Sequence, residues 1–253
     1  MKGNKPTSFF SLIPYAFILS TLFSFILLPT TAQAINASAC YRVEVFFFKV
    51  GESCIEFREK DDKIAVKSFM RTVNIGSLAK RVDDKGEALI DKKTLKPIFF
   101  KFYQEEGNFK RYQEYQFSGE KVFVRETKYQ GLTDKIERDE KKVYAASDHS
   151  DPYTAALYLF ENITESSKGI IKLFYDDKFY NVPYTRLKED KIFIDGIRYD
   201  TFKVLIKPNI QGKGLLRPKG DWTLWIDKQS KMPVKMNVGF IIGSVNVLVE
   251  ELK

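Results

Sequence analysis

Apolar and polar residues alternate in short stretches along most of the chain after residue 40, and turn-forming residues separate these stretches. Side chains of a strand point alternately to its two faces, so this period-two pattern predicts β-strands. Short strands at regular spacing are typical of an all-β sandwich or barrel, and we predict a mainly β domain of about a dozen strands. The predicted strands cover residues 41–50, 53–57, 63–73, 81–91, 98–103, 109–117, 121–129, 132–144, 170–175, 178–187, 197–207, 221–227 and 233–252.

The C-terminal hairpin is the best specified of these elements, because its turn and its pattern agree. Gly243-Ser244 is a two-residue turn sequence with Gly first. A turn there pairs Ile242 with Val245 and places six apolar side chains on one face of the hairpin. The other predicted pairs are Phe240 with Val247 and Val238 with Val249.

One segment departs from the strand pattern and predicts a helix over residues 152–162. Asp151 is a preferred N-cap residue, and Pro152 suits the first helical position, where its missing N–H costs nothing. The residues that follow are apolar on nearly every side. A helix without a polar face is buried on more than one side, so we expect it inside the concave face of the sheet.

The first thirty-four residues have the composition of a secretory signal peptide. Lys2 and Lys5 precede an uncharged run over residues 9–28, and the segment ends in Ala32-Gln33-Ala34. A basic start, an apolar core and an A-x-A end predict cleavage after Ala34, which leaves 35–253 as a single periplasmic domain. The uncharged run is also long enough to span a bilayer, so an uncleaved membrane anchor over 9–28 is the alternative.

Two cysteines, Cys40 and Cys54, remain in the mature chain, and an oxidising compartment favours a disulfide between them. The predicted strands argue against that bond. A turn at Gly51-Glu52 places Cys54 opposite Lys49, about nine residues and roughly 30 Å from Cys40 along the strand. Because a disulfide needs Cα atoms within about 7 Å, we expect unbonded cysteines unless the N-terminal tail folds back. Acylation of Cys40 is a further alternative, since small residues at 37–39 precede it.

Composition excludes several kinds of functional site. The chain of 253 residues has one histidine and two cysteines, too few for a zinc site with several His ligands or for a Cys-rich cluster. No motif supplies a catalytic constellation, so we predict a protein that is not an enzyme and that holds no metal or cofactor. The one histidine, His149, lies with Asp148 and Asp151 in a polar loop, and an active site built there is the competing enzymatic hypothesis.

The net charge is +8 for the whole chain and +6 once the signal peptide, with two Lys and no acid, is removed. An excess of basic over acidic residues is a feature of proteins that bind nucleic acid. Export makes nucleic acid an unsuitable partner, so we expect none. Peripheral contact with an anionic membrane fits the charge of an exported protein better.

Aromatic residues are more numerous than a thin sheet core needs, with 22 Phe and 13 Tyr. Successive residues of Phe46-Phe47-Phe48 must point to both faces of a strand, and one face can then line a cavity around the helix. Curved sheets with an apolar concave face commonly hold apolar ligands. The alternative explanation of the aromatic residues is that those on both faces of the sheet belong to an ordinary packed core. The residues that we predict to line a cavity are Phe46, Phe48, Phe100, Leu157, Phe160, Trp222 and Trp225.

Motifs in a fixed order give the chain a resemblance to a known family. They are Lys49-Val50-Gly51-Glu52, Asp91 with Thr94-Leu95-Lys96-Pro97, Glu106-Gly107, Asp151-Pro152-Tyr153-Thr154-Ala155-Ala156-Leu157-Tyr158, Trp222-Thr223-Leu224-Trp225-Ile226-Asp227 and Pro233-Val234. From residue 41 to 252 the sequence resembles the bacterial exported family called domain of unknown function 3108. The resemblance implies a fold like that of periplasmic lipoprotein carriers, with a strongly curved antiparallel sheet or unclosed β-barrel and one helix across its concave side. It implies no catalytic residue.

Two functions from different classes follow from these expectations. The first is an exported envelope or periplasmic protein that binds a lipid, an acyl chain or a lipoprotein segment in its concave face. The second is a protein–protein interaction module of cell-envelope assembly, which binds an envelope protein and no small ligand. A ligand-sized apolar cavity favours the first function, and a filled core favours the second.

Overall fold

The computed structural model describes residues 36–145, 148–210, 220–240 and 243–253, with the backbone alone at 240 and 243. The expected signal peptide, its cleavage after Ala34 and the alternative anchor over 9–28 lie outside the described residues. Within the described ranges, no helix has the length and apolar character needed to cross a membrane.

Fourteen antiparallel strands form one sheet in the described part of the chain. They are β1 (Asn36–Val45), β2 (Phe48–Lys60), β3 (Lys63–Thr72), β4 (Asp83–Asp91), β5 (Pro97–Glu106), β6 (Phe109–Ser118), β7 (Lys121–Tyr129), β8 (Ile136–Ala145), β9 (Lys168–Tyr175), β10 (Lys178–Ile194), β11 (Ile197–Ile206), β12 (Trp222–Asp227), β13 (Pro233–Phe240) and β14 (Gly243–Leu252). Strands that are neighbours in sequence pair with each other, except for β8 and β9. The first and last strands, β1 and β14, also pair, so β8 and β9 are the two ends of the sheet in the described part of the chain. The mainly β, curved and unclosed antiparallel sheet is confirmed.

Two helices accompany the sheet, α1 (Ile75–Ala79) and α2 (Pro152–Asn162). The bounds of α2 confirm the predicted helix, and Asp151 caps it by accepting hydrogen bonds from the backbone N–H groups of Tyr153 and Thr154, at 2.8 and 3.1 Å. The helix packs against β9 and β4. Tyr158 is the one exposed residue between Pro152 and Asn162, which agrees with a helix that has almost no polar face.

Side chains join the two ends of the sheet where no strand ladder connects β8 with β9 among the described residues. Arg111 of β6 donates through Nη1 to Asp176 Oδ1 at 2.6 Å, and Asp176 lies in the turn between β9 and β10. Lys142 of β8 donates through Nζ to Asp177 of the same turn, at 2.7 Å. We call this junction of β6, β8 and the β9–β10 turn the seam.

The segment before α2 continues the edge of the sheet at β9. The N–H of Ser150 donates to the carbonyl of Lys172, and the N–H of Phe174 donates to the carbonyl of Ser150, at 3.0 and 2.8 Å. The ring of Phe174 also lies 5.3 Å from the ring of Tyr144 on β8. These contacts hold the N-terminus of the helix beside the seam.

The first hairpin corrects the expectation about the cysteines. Its turn is Phe46-Phe47 rather than Gly51-Glu52, so Cys40 and Cys54 lie directly opposite each other on β1 and β2. Their Cα atoms are 4.1 Å apart and their sulfur atoms form a disulfide. The expectation of unbonded cysteines is therefore wrong, and the bond occupies the Cys40 sulfur that acylation would need. The error arose because Gly51-Glu52 resembles a turn, whereas two Phe residues in left-handed backbone carry no sequence signal for one.

The register of the C-terminal hairpin also differs from the predicted one. Val238 pairs with Val245, and Phe240 pairs with Gly243, so the predicted turn at Gly243-Ser244 is wrong. Relative to the predicted pairing, each residue of β14 faces a partner four positions earlier in the chain. Because four is even, the slip leaves the same side chains on the same face of the sheet. The predicted apolar face of the hairpin therefore persists.

Candidate functional site

An apolar cavity of about 520 Å³ lies between the concave face of the sheet and α2. Among the described residues, no side chain that ionises at neutral pH lines it. Its wall consists of aliphatic, aromatic and proline residues, and the sulfur-containing side chains of two methionines. The lining residues are Val43, Met70, Phe100, Phe102, Pro152, Tyr153, Ala155, Ala156, Leu159, Phe160, Ile171, Leu173, Tyr175, Val182, Ile206, Pro208, Ile210, Trp222, Leu224, Met236, Val238, Val245 and Val247.

Strand alternation produces the sheet side of the cavity. Residues two apart on a strand point to the same face, and five strands contribute such pairs to the wall. These pairs are Phe100 and Phe102, Ile171 and Leu173, Trp222 and Leu224, Met236 and Val238, and Val245 and Val247. The period-two pattern of the sequence therefore becomes a continuous apolar surface.

Small residues on α2 leave room for the cavity. Ala155 and Ala156 lie at its wall, where larger side chains would occupy the space. The helix is held close to the sheet at Tyr153, whose hydroxyl lies 2.5 Å from the Oγ of Ser68. Gly86 on β4 permits this approach, because a Cβ at that position would lie only 1.7 Å from the Tyr153 hydroxyl. Burial raises the pKa of Tyr153, so its hydroxyl stays protonated.

Three of the seven predicted cavity residues, Phe100, Phe160 and Trp222, line this cavity. Leu157 is buried, with 3% of its surface exposed, but it packs in the hydrophobic core outside the cavity wall. The difference follows from helix geometry, because Leu157 lies just beyond the arc of α2, from Ala155 through Ala156 to Phe160, that borders the cavity.

Phe46 and Phe48 do not line the cavity, which corrects their predicted role. They are 72% and 61% exposed and lie at the turn between β1 and β2. The prediction assumed that β1 continues through residue 50, which would have placed both residues within a sheet face. The chain instead reverses at Phe46-Phe47, so these side chains project from the end of the hairpin.

Trp225 also lies outside the cavity wall, in contrast to its predicted place. The Nζ atoms of Lys203 and Lys235 lie 5.0 and 4.8 Å from its ring centre, and its indole N–H donates to Asp190 at 3.1 Å. A residue three positions from Trp222 on a strand faces the opposite side of the sheet. The two tryptophans could therefore not both line one cavity.

The C-terminal hairpin supplies cavity residues that we did not predict at the site. Met236, Val238, Val245 and Val247 all belong to the wall. The alternating pattern of this hairpin already contained the signal, because it placed most of these residues on one apolar face. The pattern alone does not tell which apolar face of a sheet borders open space.

A second cavity of about 440 Å³ lies on the other side of Ala155 and Ile171, which border both cavities. His149 lines it, and burial lowers the pKa of this histidine. Its Nδ1 atom lies 3.2 Å from Asp148. Asp151 is fully buried at the start of α2, where its carboxylate accepts from the helix N–H groups and from the Thr154 hydroxyl. The residues of the enzymatic hypothesis are thus divided between the Asp148 and His149 pair at the second cavity and the Asp151 cap of the helix.

A buried polar cluster surrounds Arg111 beside the seam. Arg111 is 1% exposed and donates to Glu126 and Asp176, at 3.1 and 2.6 Å, and to Gln104 at 2.8 Å. Asp84 is also buried, and its burial, with the negative charge of neighbouring Glu106, raises its pKa to about 7. Among the described residues, no group of three or more His, Cys, Asp or Glu side chains is placed to hold a metal ion.

Comparisons with known proteins agree with this architecture. A protein-family model described as "Protein of unknown function (DUF3108)" matches residues 40–250. No curated protein matches the chain. A crystal structure of a β-barrel-like protein of domain of unknown function DUF1849 from Brucella abortus is similar with a TM-score of 0.58 and 10% identity, over 86% of this chain and 97% of that chain. At that identity the likeness shows the fold alone.

Proposed function

We propose that this chain, which belongs to the family described as protein of unknown function (DUF3108), binds the acyl part of an amphiphilic ligand in its concave cavity. The ligand class comprises lipids, free acyl chains and acylated segments of lipoproteins. The observation that carries the proposal is the cavity of about 520 Å³, whose described lining residues are all uncharged. Ligand pockets of proteins have volumes of about 300–1,000 Å³ and mostly apolar walls.

The chemistry of the wall favours a chain of methylene groups over a polar ligand. Each CH₂ group moved from water into such a wall contributes about 0.8 kcal/mol. A charged head group inside the cavity would lose its water without gaining an ionised partner from the described lining residues, which is unfavourable. The ligand in this proposal therefore inserts its hydrocarbon part and keeps its polar part outside.

The periplasm is the compartment that we propose for this activity. The disulfide between Cys40 and Cys54 supports it, because disulfides form and persist in oxidising compartments. The basic, apolar and A-x-A composition of residues 1–34 supports export as well. A soluble carrier in that compartment would shield acyl chains from water.

The alternative function is an interaction module of the cell envelope that holds no small ligand. That function requires no space inside the sheet, and efficient packing would favour a filled core. The cavity weighs against it, since an unfilled apolar space costs stability without a ligand to occupy it. We therefore place ligand binding first.

Extraction of the native protein tests the proposal. The mature chain is purified from the periplasm without detergent, extracted with organic solvent and analysed by mass spectrometry, and the delipidated protein is titrated with a fluorescent fatty acid. The proposal expects a co-purifying amphiphile and saturable binding of the fluorescent probe. Absence of both an extracted lipid and probe binding would contradict it.

A further inference from the structure

The turn between β1 and β2 exposes three consecutive aromatic side chains. Phe46, Phe47 and Phe48 are 72%, 95% and 61% exposed. Single exposed apolar residues are common on protein surfaces. A contiguous group of large ones, in contrast, marks a surface that binds a membrane, another protein or an apolar ligand.

Turn formation does not account for these residues. Phe46 and Phe47 have φ angles of 48° and 70°, a left-handed backbone that favours Asn and Gly in two-residue hairpin turns. The hairpin turn between β9 and β10 has the same left-handed backbone and uses Asp176-Asp177, with φ angles of 51° and 62°. At Phe46-Phe47 the chain therefore carries bulky aromatic residues where the backbone favours small polar ones.

Two further exposed apolar residues lie beside this turn, on α1. Ile75 and Leu78 are 57% and 88% exposed. The short helix is held against the start of β2, because Gly76 is so close to the backbone of Val50 that a Cβ there would lie 2.0 Å from the Val50 carbonyl oxygen. We name Phe46, Phe47, Phe48, Ile75 and Leu78 the apolar tip.

The apolar tip lies at the same end of the sheet as one wall of the concave cavity. Val43 of β1 lines the cavity and precedes Phe46 by three residues, which is about 10 Å of strand. Val45, which ends β1, pairs directly with Phe48. The distance from the cavity wall to the tip is thus short compared with the length of an acyl ligand.

We propose that the apolar tip inserts into the interfacial region of a lipid bilayer and so places the cavity beside the source of its ligand. This inference deepens the function proposed above. The delivery of a ligand to the cavity rests on that function, whereas the binding of the tip to a bilayer does not. The tip projects from a hairpin and a short helix, and projecting side chains enter a fluid bilayer without needing a complementary pocket. Membrane association of this kind strengthens with the apolar area that is buried.

The charges next to the tip suit a bilayer surface. Arg71 and Arg81, which flank α1 in sequence, have side chains that are 58% and 65% exposed. Each is within ion-pair reach of a glutamate, Glu52 and Glu105 respectively. Long basic side chains at an interface contact lipid phosphates while their apolar neighbours enter the acyl region.

Vesicle binding of a double variant tests the proposal. The mature protein and its Phe46→Asn/Phe47→Gly variant are sedimented with vesicles of phosphatidylethanolamine and phosphatidylglycerol. Asn-Gly is the preferred sequence for this turn, so the variant keeps or raises the urea midpoint of unfolding while losing two exposed rings. We expect its vesicle partition coefficient to fall by about tenfold or more.

A second apolar hairpin end provides a matched control. Phe193 and Ile197, at the β10–β11 turn, are 69% and 58% exposed. The Phe193→Ser/Ile197→Ser variant removes a comparable apolar surface and should bind vesicles as the unsubstituted protein does. Binding of the fluorescent fatty acid without vesicles should be the same in all three proteins, because neither hairpin end lines the cavity.

The inference is overturned if the unsubstituted protein stays in the supernatant, or if the Phe46→Asn/Phe47→Gly variant sediments equally well. A dimer that dissociates on this double substitution, together with no vesicle binding, would assign the tip to a second copy of the chain instead. Vesicle binding that depends on the tip, in a protein that takes up no fatty acid, would support docking and count against the function proposed for the cavity.

Discussion

Arg111 and Asp176 form an ion pair of 2.6 Å that joins the two ends of the sheet. Arg111 belongs to β6, near one end, and Asp176 to the turn that leads from the strand at the other end. Both side chains are almost completely buried, at 1% and 2% exposed. The seam therefore brings together parts of the sheet that no strand ladder connects within the described residues.

Removal of Arg111 should open the seam. Arg111→Met removes the buried cation that Asp176 and Glu126 share, and breaking a buried ion pair typically costs about 3–5 kcal/mol of the free energy of unfolding. Lys142→Met breaks the partly exposed pair with Asp177 in the same seam and should cost less than about 1 kcal/mol. Urea denaturation measures both values. Equal losses in the two variants would show that the buried pair does not hold the seam.

Reduction of the disulfide should destabilise the first hairpin. Cys40 and Cys54 are separated by 14 positions, and a crosslink over a loop of that length contributes about 3 kcal/mol to stability. We expect dithiothreitol to lower the urea midpoint of the purified protein, and to leave a Cys40→Ser/Cys54→Ser variant unaffected. Thiol titration of the unfolded, unreduced chain should find neither cysteine free. Two reactive thiols in that titration would contradict the bond.

Stability should fall as the pH rises towards neutrality, because of Asp84. Its pKa is about 7 in the folded protein, compared with about 3.9 in an unfolded chain. Burial and the negative charges of Glu106 and Asp83 raise this pKa, whereas the hydrogen bond from the Glu105 N–H and the charge of Arg111 lower it. Between these two pH values the folded state therefore holds one more proton than the unfolded state. The resulting contribution to the free energy of unfolding is complete below about pH 4 and is lost as the pH rises through about 7. It amounts to at most on the order of 4 kcal/mol.

A neutral substitution at Asp84 should remove most of this pH dependence. Asp84→Asn keeps an acceptor for the Glu105 N–H, which now donates to Asp84 Oδ1 at 2.9 Å, and carries no charge to bury. We expect a higher urea midpoint than that of the unsubstituted protein at pH 8 and a smaller change between pH 5 and 8. Asp83→Asn, at the neighbouring position, is the control and should retain most of the pH slope, because the charge of Asp83 raises the pKa of Asp84 less than burial and Glu106 do. A stability that increases from pH 5 to 8 in the unsubstituted protein would contradict the assignment to Asp84.

The contact between Gly86 and Tyr153 should be visible as an energetic coupling. Gly86→Ala places a methyl group 1.7 Å from the present position of the Tyr153 hydroxyl, so the Tyr153 ring or the helix that carries it must shift. Overpacking of this kind costs about 1–3 kcal/mol. Tyr153→Phe removes that hydroxyl and its hydrogen bond with Ser68. The double variant should lose less free energy of unfolding than the sum of the losses in the two single variants. A double-mutant cycle with urea denaturation measures this difference. Strictly additive losses would mean that the glycine is not needed for the approach of α2.

Local sequence signals predicted the elements that depend on local physics. The helix at Pro152–Asn162 follows from its Asp151 cap, its first-turn proline and its apolar surface, and the structure has the same bounds. The strands follow from alternation, and the apolar face of the C-terminal hairpin survived an error in register because the slip was even. Each of these features is encoded within a few consecutive residues.

Features that depend on unusual backbone or on distant contacts could not be predicted in this way. The Phe46-Phe47 turn has left-handed backbone at two aromatic residues, and that single misplaced turn also hid the pairing of Cys40 with Cys54. The seam depends on Arg111 and Asp176, which are 65 positions apart. Alternation fixes which side chains share a face, whereas the presence of open space beside that face depends on the packing of α2.

A cavity-filling substitution tests the central claim most directly. Ala156→Phe introduces a ring into the wall of the concave cavity, and Ala145→Phe makes the same change at an exposed position on β8. Both variants are titrated with a fluorescent fatty acid after circular dichroism has shown that they are folded. We predict that Ala156→Phe weakens binding by about tenfold or more, equivalent to about 1.4 kcal/mol, while Ala145→Phe binds as the unsubstituted protein does. Equal affinity in all three proteins would contradict the claim that the concave cavity holds the acyl chain.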